Sequence, residues 1–113
     1  MSVVIYHNPR CSKSRQTLQL IEEKGVNPEI VEYLTATPDA DELKNIIAKL
    51  GITPRELLRK KEAKEYGLDD TALSDDQIIA GMVENPRAIE RPIVVKDDKA
   101  VLGRPPENVL DLI

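Results

Sequence analysis

The sequence predicts a small α/β fold on a mixed four-stranded sheet, and three observations carry that reading. A β-branched run at the N-terminus is followed by an amphipathic helix and a second apolar run, which is a right-handed βαβ unit. The middle of the chain is rich in helix caps. The C-terminal part sets two short apolar runs on either side of Asp97-Asp98 and ends in a proline-led helix. A chain of 113 residues is one domain's worth and long enough for a real core, although it has no Phe and no Trp.

Ser2–Tyr6 reads as the first strand, and His7–Arg10 as a loop with Asn8-Pro9 as its turn signal. A helix follows over Ser12–Lys24, with Ser14, Leu18 and Ile21 on one face and Gly25 at the left-handed cap position. Ile30–Leu34 is the second strand. Thr37 is the expected cap of a helix with Pro38 at its first position, ending at Gly51. Thr53-Pro54-Arg55-Glu56 is a capping box that opens a short helix to about Lys60. Ser74-Asp75-Asp76-Gln77 is another, with a helix running to Asn85-Pro86. Ile93–Lys96 and Lys99–Gly103 form the hairpin, and Pro105-Pro106 introduces a terminal helix to Ile113. The order βαβ, helical insert, ββα is that of a thioredoxin-like fold, one domain over 1–113 with its insert at about 38–85.

Composition removes several classes of function. A net charge of −4 disfavours nucleic acid as a partner. No apolar run approaches the ~20 residues that span a bilayer, so no membrane association is expected. A secretory signal pattern is missing from the start, which makes a cytoplasmic protein the expectation. One cysteine rules out an internal disulfide and argues against a cysteine-rich metal site, so no metal is expected.

The charge is uneven. Between His7 and Arg15 stand Arg10, Lys13 and Arg15 with no acidic residue, and the sole Cys and sole His lie in the same segment. Cys11 falls where the first strand ends and the next helix begins, the crevice in which open α/β sheets bind ligands. The helix start and the neighbouring cations favour thiolate over thiol. Ser14, one turn on, is placed to donate its hydroxyl to the sulfur, and His7 to act as a second proton donor or positive charge. A lone cysteine is often only a small buried hydrophobe; this location reverses that expectation. Cys11-Ser12-Lys13-Ser14 lacks the second thiol of a self-closing disulfide, so redox chemistry here needs a thiol from another molecule.

Arg91-Pro92 and Arg104-Pro105 flank the hairpin, and each Pro favours an extended Arg before it. A two-residue turn at Asp97-Asp98 puts Arg91 opposite Arg104, where like charges repel. Either carboxylates neutralise them, with Glu90 and Glu107 nearest in sequence, or the pair awaits an oxyanion, which guanidinium forks bind bidentately. Arg55 and Arg59 share one face of the expected insert helix at i, i+4, ordinarily a solvated arrangement.

His7-Asn8-Pro9-Arg10-Cys11-Ser12-Lys13-Ser14-Arg15, with Leu57-Leu58-Arg59-Lys60, Glu90-Arg91-Pro92-Ile93-Val94-Val95 and Leu102-Gly103-Arg104-Pro105, resembles the glutaredoxin-dependent arsenate reductase family over essentially the whole chain. The resemblance implies a thioredoxin-like fold with a helical insert and a cis peptide bond before Pro92. It implies that Cys11 is the nucleophile, that His7 and Ser14 favour its thiolate, and that Arg59, Arg91 and Arg104 hold the arsenic oxyanion. Asn8 and Arg15 take supporting roles. The implied reaction reduces arsenate to arsenite through a covalent Cys11–arsenic adduct, with glutathione as reducing co-substrate, glutaredoxin as partner and no tightly bound cofactor. Two other readings stay open: a glutathione-linked thiol oxidoreductase without arsenate specificity, and a redox-sensing regulator of the Spx type that binds RNA polymerase. Spx-type regulators commonly switch through a Cys-x-x-Cys disulfide, whereas this chain has Ser14 at the second position.

Overall fold

β1 (Val3–Tyr6) lies in the middle of the sheet, whose strand order is β2-β1-β3-β4. It pairs in parallel with β2 (Glu29–Val31) and antiparallel with β3 (Ile93–Lys96), which in turn pairs antiparallel with β4 (Lys99–Leu102). The computed structural model describes residues 2–113. By its contacts the chain divides into two compact units, Met1–Ala36 with Arg91–Ile113, and Thr37–Glu90.

The first unit holds the sheet, α1 (Ser12–Glu23) and a terminal 3-10 segment, Pro106–Asp111. Val3 and Ile5 of β1 pack with Val94 of β3, Ile21 of α1 and Val109 of the terminal segment. Burying branched aliphatic side chains of this kind contributes about 1.5–3 kcal/mol each. α1 ends as expected: Gly25 has φ +77, its N–H bonds the Glu22 carbonyl at 2.9 Å, and the Val26 N–H reaches the Ile21 carbonyl at 3.3 Å. That is a Schellman cap, and it uses the φ that glycine adopts without cost.

β2 is shorter than the expected Ile30–Leu34 and sits slightly earlier. Pairing ends when the His7 N–H takes the Val31 carbonyl at 2.8 Å, and the N–H groups of Thr35 and Ala36 then both turn back onto the Glu32 carbonyl. This local turn removes Tyr33 and Leu34 from the ladder.

The hairpin has the expected register, with Lys96 opposite Lys99 and Ile93 opposite Leu102. Asp97 takes the left-handed conformation, φ 57, one of the few non-glycine types that tolerate it. Both Arg91-Pro92 and Arg104-Pro105 are cis; the second was not expected. Beyond β3 and β4 the Gly103 N–H bonds the Pro92 carbonyl at 2.9 Å.

The second unit is helical: α2 (Ala40–Leu50), a 3-10 turn over Pro54–Leu57, α3 (Lys60–Glu65), α4 (Asp75–Glu84) and a 3-10 turn over Pro86–Ala88. Its fully buried apolar residues include Leu43, Leu57, Ile78, Met82 and Ala88. Two expectations fail here. Asp39, not Thr37, caps α2, because its carboxylate accepts the Glu42 N–H at 2.8 Å, a stronger cap beside a helix start than a hydroxyl two residues earlier. The Thr53 capping box forms, but its helix stops after four residues instead of reaching Lys60. Leu58 turns extended and bridges Ile89, so that the Glu90 N–H meets the Leu57 carbonyl and the Arg59 N–H the Ala88 carbonyl, each at 2.8 Å. Arg59 then opens a new helix, α3, and does not share a face with Arg55.

The backbone of Gly103 closely approaches α1 and Pro92. A Cβ there would lie 2.5 Å from Thr17 Oγ1 and 2.8 Å from Pro92 Cγ. Gly103→Ala is therefore expected to destabilise the protein by about 1–3 kcal/mol through overpacking. A denaturant midpoint equal to that of the wild type would show that the strand and helix yield without cost.

Candidate active site

Cys11 is the N-cap residue of α1, with extended backbone (φ −92, ψ 123) and a half-buried side chain. Burial by itself pushes the thiol up. The Ser14 backbone N–H, the Arg91 guanidinium and the Lys13 backbone N–H outweigh it, and the thiol lies below its ordinary value. The sulfur closes no formal cap hydrogen bond, so the first-turn N–H groups act on it as oriented dipoles at a helix start. Arg104 Nη2 donates to Sγ at 3.8 Å from 93 positions along the chain. The local basic patch is thus not what activates the thiol. Arg15 donates its Nη1 to the Pro9 carbonyl at 2.9 Å and braces the loop, and Lys13 acts through its backbone.

Ser14 does not donate to the sulfur as the sequence suggests. Its hydroxyl is fully buried, 2.7 Å from His7 Nδ1, and accepts the Asn8 N–H at 3.0 Å. His7 is itself buried, and burial lowers its pKa; the Glu32 carboxylate opposes that and Arg15 adds to it. The ring is therefore neutral at pH 7, not a source of positive charge. Asn8 closes the loop from both ends, its side-chain oxygen accepting the Arg10 N–H and its carbonyl the Cys11 N–H, each at 3.0 Å. His7, Asn8 and the Ser14 hydroxyl hold Cys11 at the helix start, and Ser14 acts on the thiol through its backbone N–H.

The two hairpin arginines converge on the thiol. Arg104 Nε donates to the Arg91 carbonyl at 2.7 Å, which fixes the two chain segments side by side. Among the described residues neither makes an ion pair with a carboxylate, and Glu90 is drawn to Arg59 instead. Arg91 Nε is buried without a hydrogen-bond partner. Burial disfavours the Arg91 charge, but contacts with Cys11 and with Tyr33 more than restore it. Tyr33, 2% exposed, is the site neighbour that sequence reasoning missed. Its signal was its place just beyond β2, at the same sheet end as the thiol loop. Arg59 lies in the second unit, its Nε on Glu62 at 3.0 Å and its Nη1 3.8 Å from Glu90.

Among the described residues no group of three or more His, Cys, Asp or Glu is placed to hold a metal ion, and no helix is long and apolar enough to cross a membrane. A cavity of about 710 Å³ in the second unit is lined by residues such as Arg55, Leu58 and Lys60. Arg55 is committed there to the carbonyls of Asp70 and Leu73.

The model of the ArsC family matches residues 6–112 of the chain. The chain belongs to the ArsC family. It is 47% identical to the arsenate reductase of Haemophilus influenzae over the full length of both chains. It is 53% identical to the uncharacterized protein YfgD of Escherichia coli (strain K12), over 98% of this chain and 96% of that one. The solved structure of an arsenate reductase from Vibrio cholerae matches with a TM-score of 0.96 at 50% identity, over 100% of this chain and 98% of that one. The fold of this ArsC chain is accordingly thioredoxin-like.

Two outcomes test this geometry. The alkylation rate of Cys11 rises with pH, because the thiolate is the reactive form, and its midpoint is expected below the ~8.5 of a free thiol. Arg91→Gln, which removes the charge, moves the midpoint up; a wild-type midpoint at or above the free-thiol value refutes the activation. Ser14→Ala strands buried polar groups of His7 and Asn8 and is expected to cost about 1–3 kcal/mol in unfolding free energy. A variant as stable as the wild type would show that the hydroxyl bridges nothing of consequence.

Proposed function

We propose that the protein reduces arsenate to arsenite, with Cys11 as nucleophile and with glutathione and glutaredoxin as the source of electrons. The observation that supports it most is the Cys11 sulfur lying against Arg91 and Arg104, with neither arginine paired to a carboxylate among the described residues. A tetrahedral oxyanion brings the charge that such a pair lacks, and arginine forks match its oxygens. Arg91 also lowers the thiol, so substrate capture and nucleophile activation share that charge.

In this reading the thiolate attacks arsenic and one arsenate oxygen leaves as water, forming a sulfur–arsenic bond. Arsenic(V) to arsenic(III) takes two electrons. Cys11 cannot supply both and remain reduced, so two external thiol groups do, ending as one disulfide, and Cys11 is released unchanged. Arg59 is assigned to the oxyanion on the family resemblance; the carboxylates of Glu62 and Glu90 that now hold it would have to share it with substrate.

The test is arsenite formation from arsenate with glutathione and glutaredoxin present. Cys11→Ser is expected to abolish turnover, and Arg104→Ala to lower it by about 10²-fold, the usual cost of losing one donor to a developing oxyanion. A folded wild type with a reactive thiol and no turnover would leave a thiol oxidoreductase that handles other substrates.

A further inference from the structure

On the β2 side of the thiol loop the first unit encloses a cavity of about 270 Å³, whose lining includes His7, Asn8, Arg10, Glu32, Leu34 and Thr35. Its volume is at the small end for a ligand site, right for a single amino-acid head group and too small for a large cofactor. Two of its wall residues carry opposite charges. Among the described residues neither the Arg10 guanidinium nor the Glu32 carboxylate makes a hydrogen bond or ion pair, and they do not pair with each other. The Arg10 backbone is fixed by Asn8 Oδ1 at 3.0 Å, and the Glu32 backbone by the turn that its carbonyl closes with Thr35 and Ala36. Both charges therefore stand on anchored positions. Leu34, 36% exposed, supplies an apolar wall between loops.

An anchored cation and an anchored anion on one small cavity suit a zwitterion. The groups that lower the thiol most are the Ser14 and Lys13 N–H groups and Arg91, so that role does not require Arg10. Arg10 is also the residue immediately before the nucleophile. A ligand held there needs roughly one or two residues of chain, about 3–7 Å at 3.3–3.6 Å per residue, to bring a sulfur to Cys11.

We propose that this cavity seats the zwitterionic α-amino-acid end of the thiol co-substrate, Arg10 taking its carboxylate and Glu32 its ammonium, so that the co-substrate's sulfur is delivered to Cys11. The inference deepens the proposed function and rests on its claim that a small external thiol meets Cys11; it does not depend on arsenate being the substrate. A fork-to-carboxylate contact and an ammonium-to-carboxylate contact are charge-assisted, and each is individually worth about tenfold or more in affinity.

The test omits arsenate. The Cys11 thiolate attacks one sulfur of glutathione disulfide, the disulfide bond breaks, a Cys11–glutathione mixed disulfide forms and one glutathione thiolate leaves. Its rate, followed by intact-protein mass spectrometry, is divided by the rate with uncharged 2-hydroxyethyl disulfide. Arg10→Gln and Glu32→Gln are each expected to lower that ratio about tenfold, since only glutathione presents a zwitterion. A ratio unchanged in both variants overturns the proposal, because it shows any effect to be one on the thiol itself. Failure to reduce arsenate would sink the proposed function and leave this result standing.

Discussion

Favouring the charged form of one sulfur is the constraint around which the first unit is arranged. Half-burial alone would keep Cys11 protonated, since desolvation disfavours the charged form. The balance is reversed by two groups of different origin. Peptide dipoles at the start of α1 come from the local chain, and the Arg91 guanidinium at the base of the hairpin comes from the far end of the sequence. A helix start by itself is a weak device, worth a fraction of a kcal/mol up to about 2 kcal/mol. Arg91 adds a full charge in a partly dry setting, where it is screened less than at a free surface.

Delivering those arginines is the work of the sheet. β1 ends in the thiol loop and is flanked by β3, so the residues before β3 and after β4 arrive at the thiol's end of the sheet. The antiparallel register brings Arg91 and Arg104 level, and the 2.7 Å bond from Arg104 Nε to the Arg91 carbonyl turns a repulsive juxtaposition into a fixed one. Close approach of Gly103 to Thr17 then ties the hairpin to α1, with Thr17 Oγ1 already donating to the Lys13 carbonyl at 2.8 Å. Core packing, strand register and thiol chemistry are thus linked through adjoining residues.

What was legible in the sequence follows from how local each signal is. The hairpin register could be read because a two-residue turn leaves few pairings, and the end of α1 because Gly25 supplies a φ that other residues resist. The caps at Thr53 and Ser74 were equally local. Competition between neighbours was not: Thr37 and Asp39 are both good caps, and the choice depended on which side chain met an N–H three residues on. The early end of the Thr53 helix came from a tertiary bridge, Leu58 to Ile89, that no window of sequence contains. At the site, the identity of Cys11 and the hairpin arginines was readable, while the direction of the Ser14 hydroxyl was not. The hydroxyl lies 2.7 Å from the ring of a buried histidine, away from the sulfur. Tyr33 escaped because its role is only a contact with a distant arginine.

On the proposed function, the charges that capture an oxyanion cannot choose between arsenate and phosphate. The two ions share shape and charge, and guanidinium forks bind both alike, which is uniform binding and confers no selectivity in the chemical step. Selection then falls to the sulfur. A thiolate forms a bond to arsenic that external thiols can resolve by two-electron reduction, whereas phosphorus(V) offers no such exit under the same conditions. Phosphate would occupy the arginines without advancing, acting as a competitor for binding and not as a substrate. An arrangement with one cysteine and no resolving partner suits this division, because discrimination resides in the redox step and that step is supplied from outside the chain.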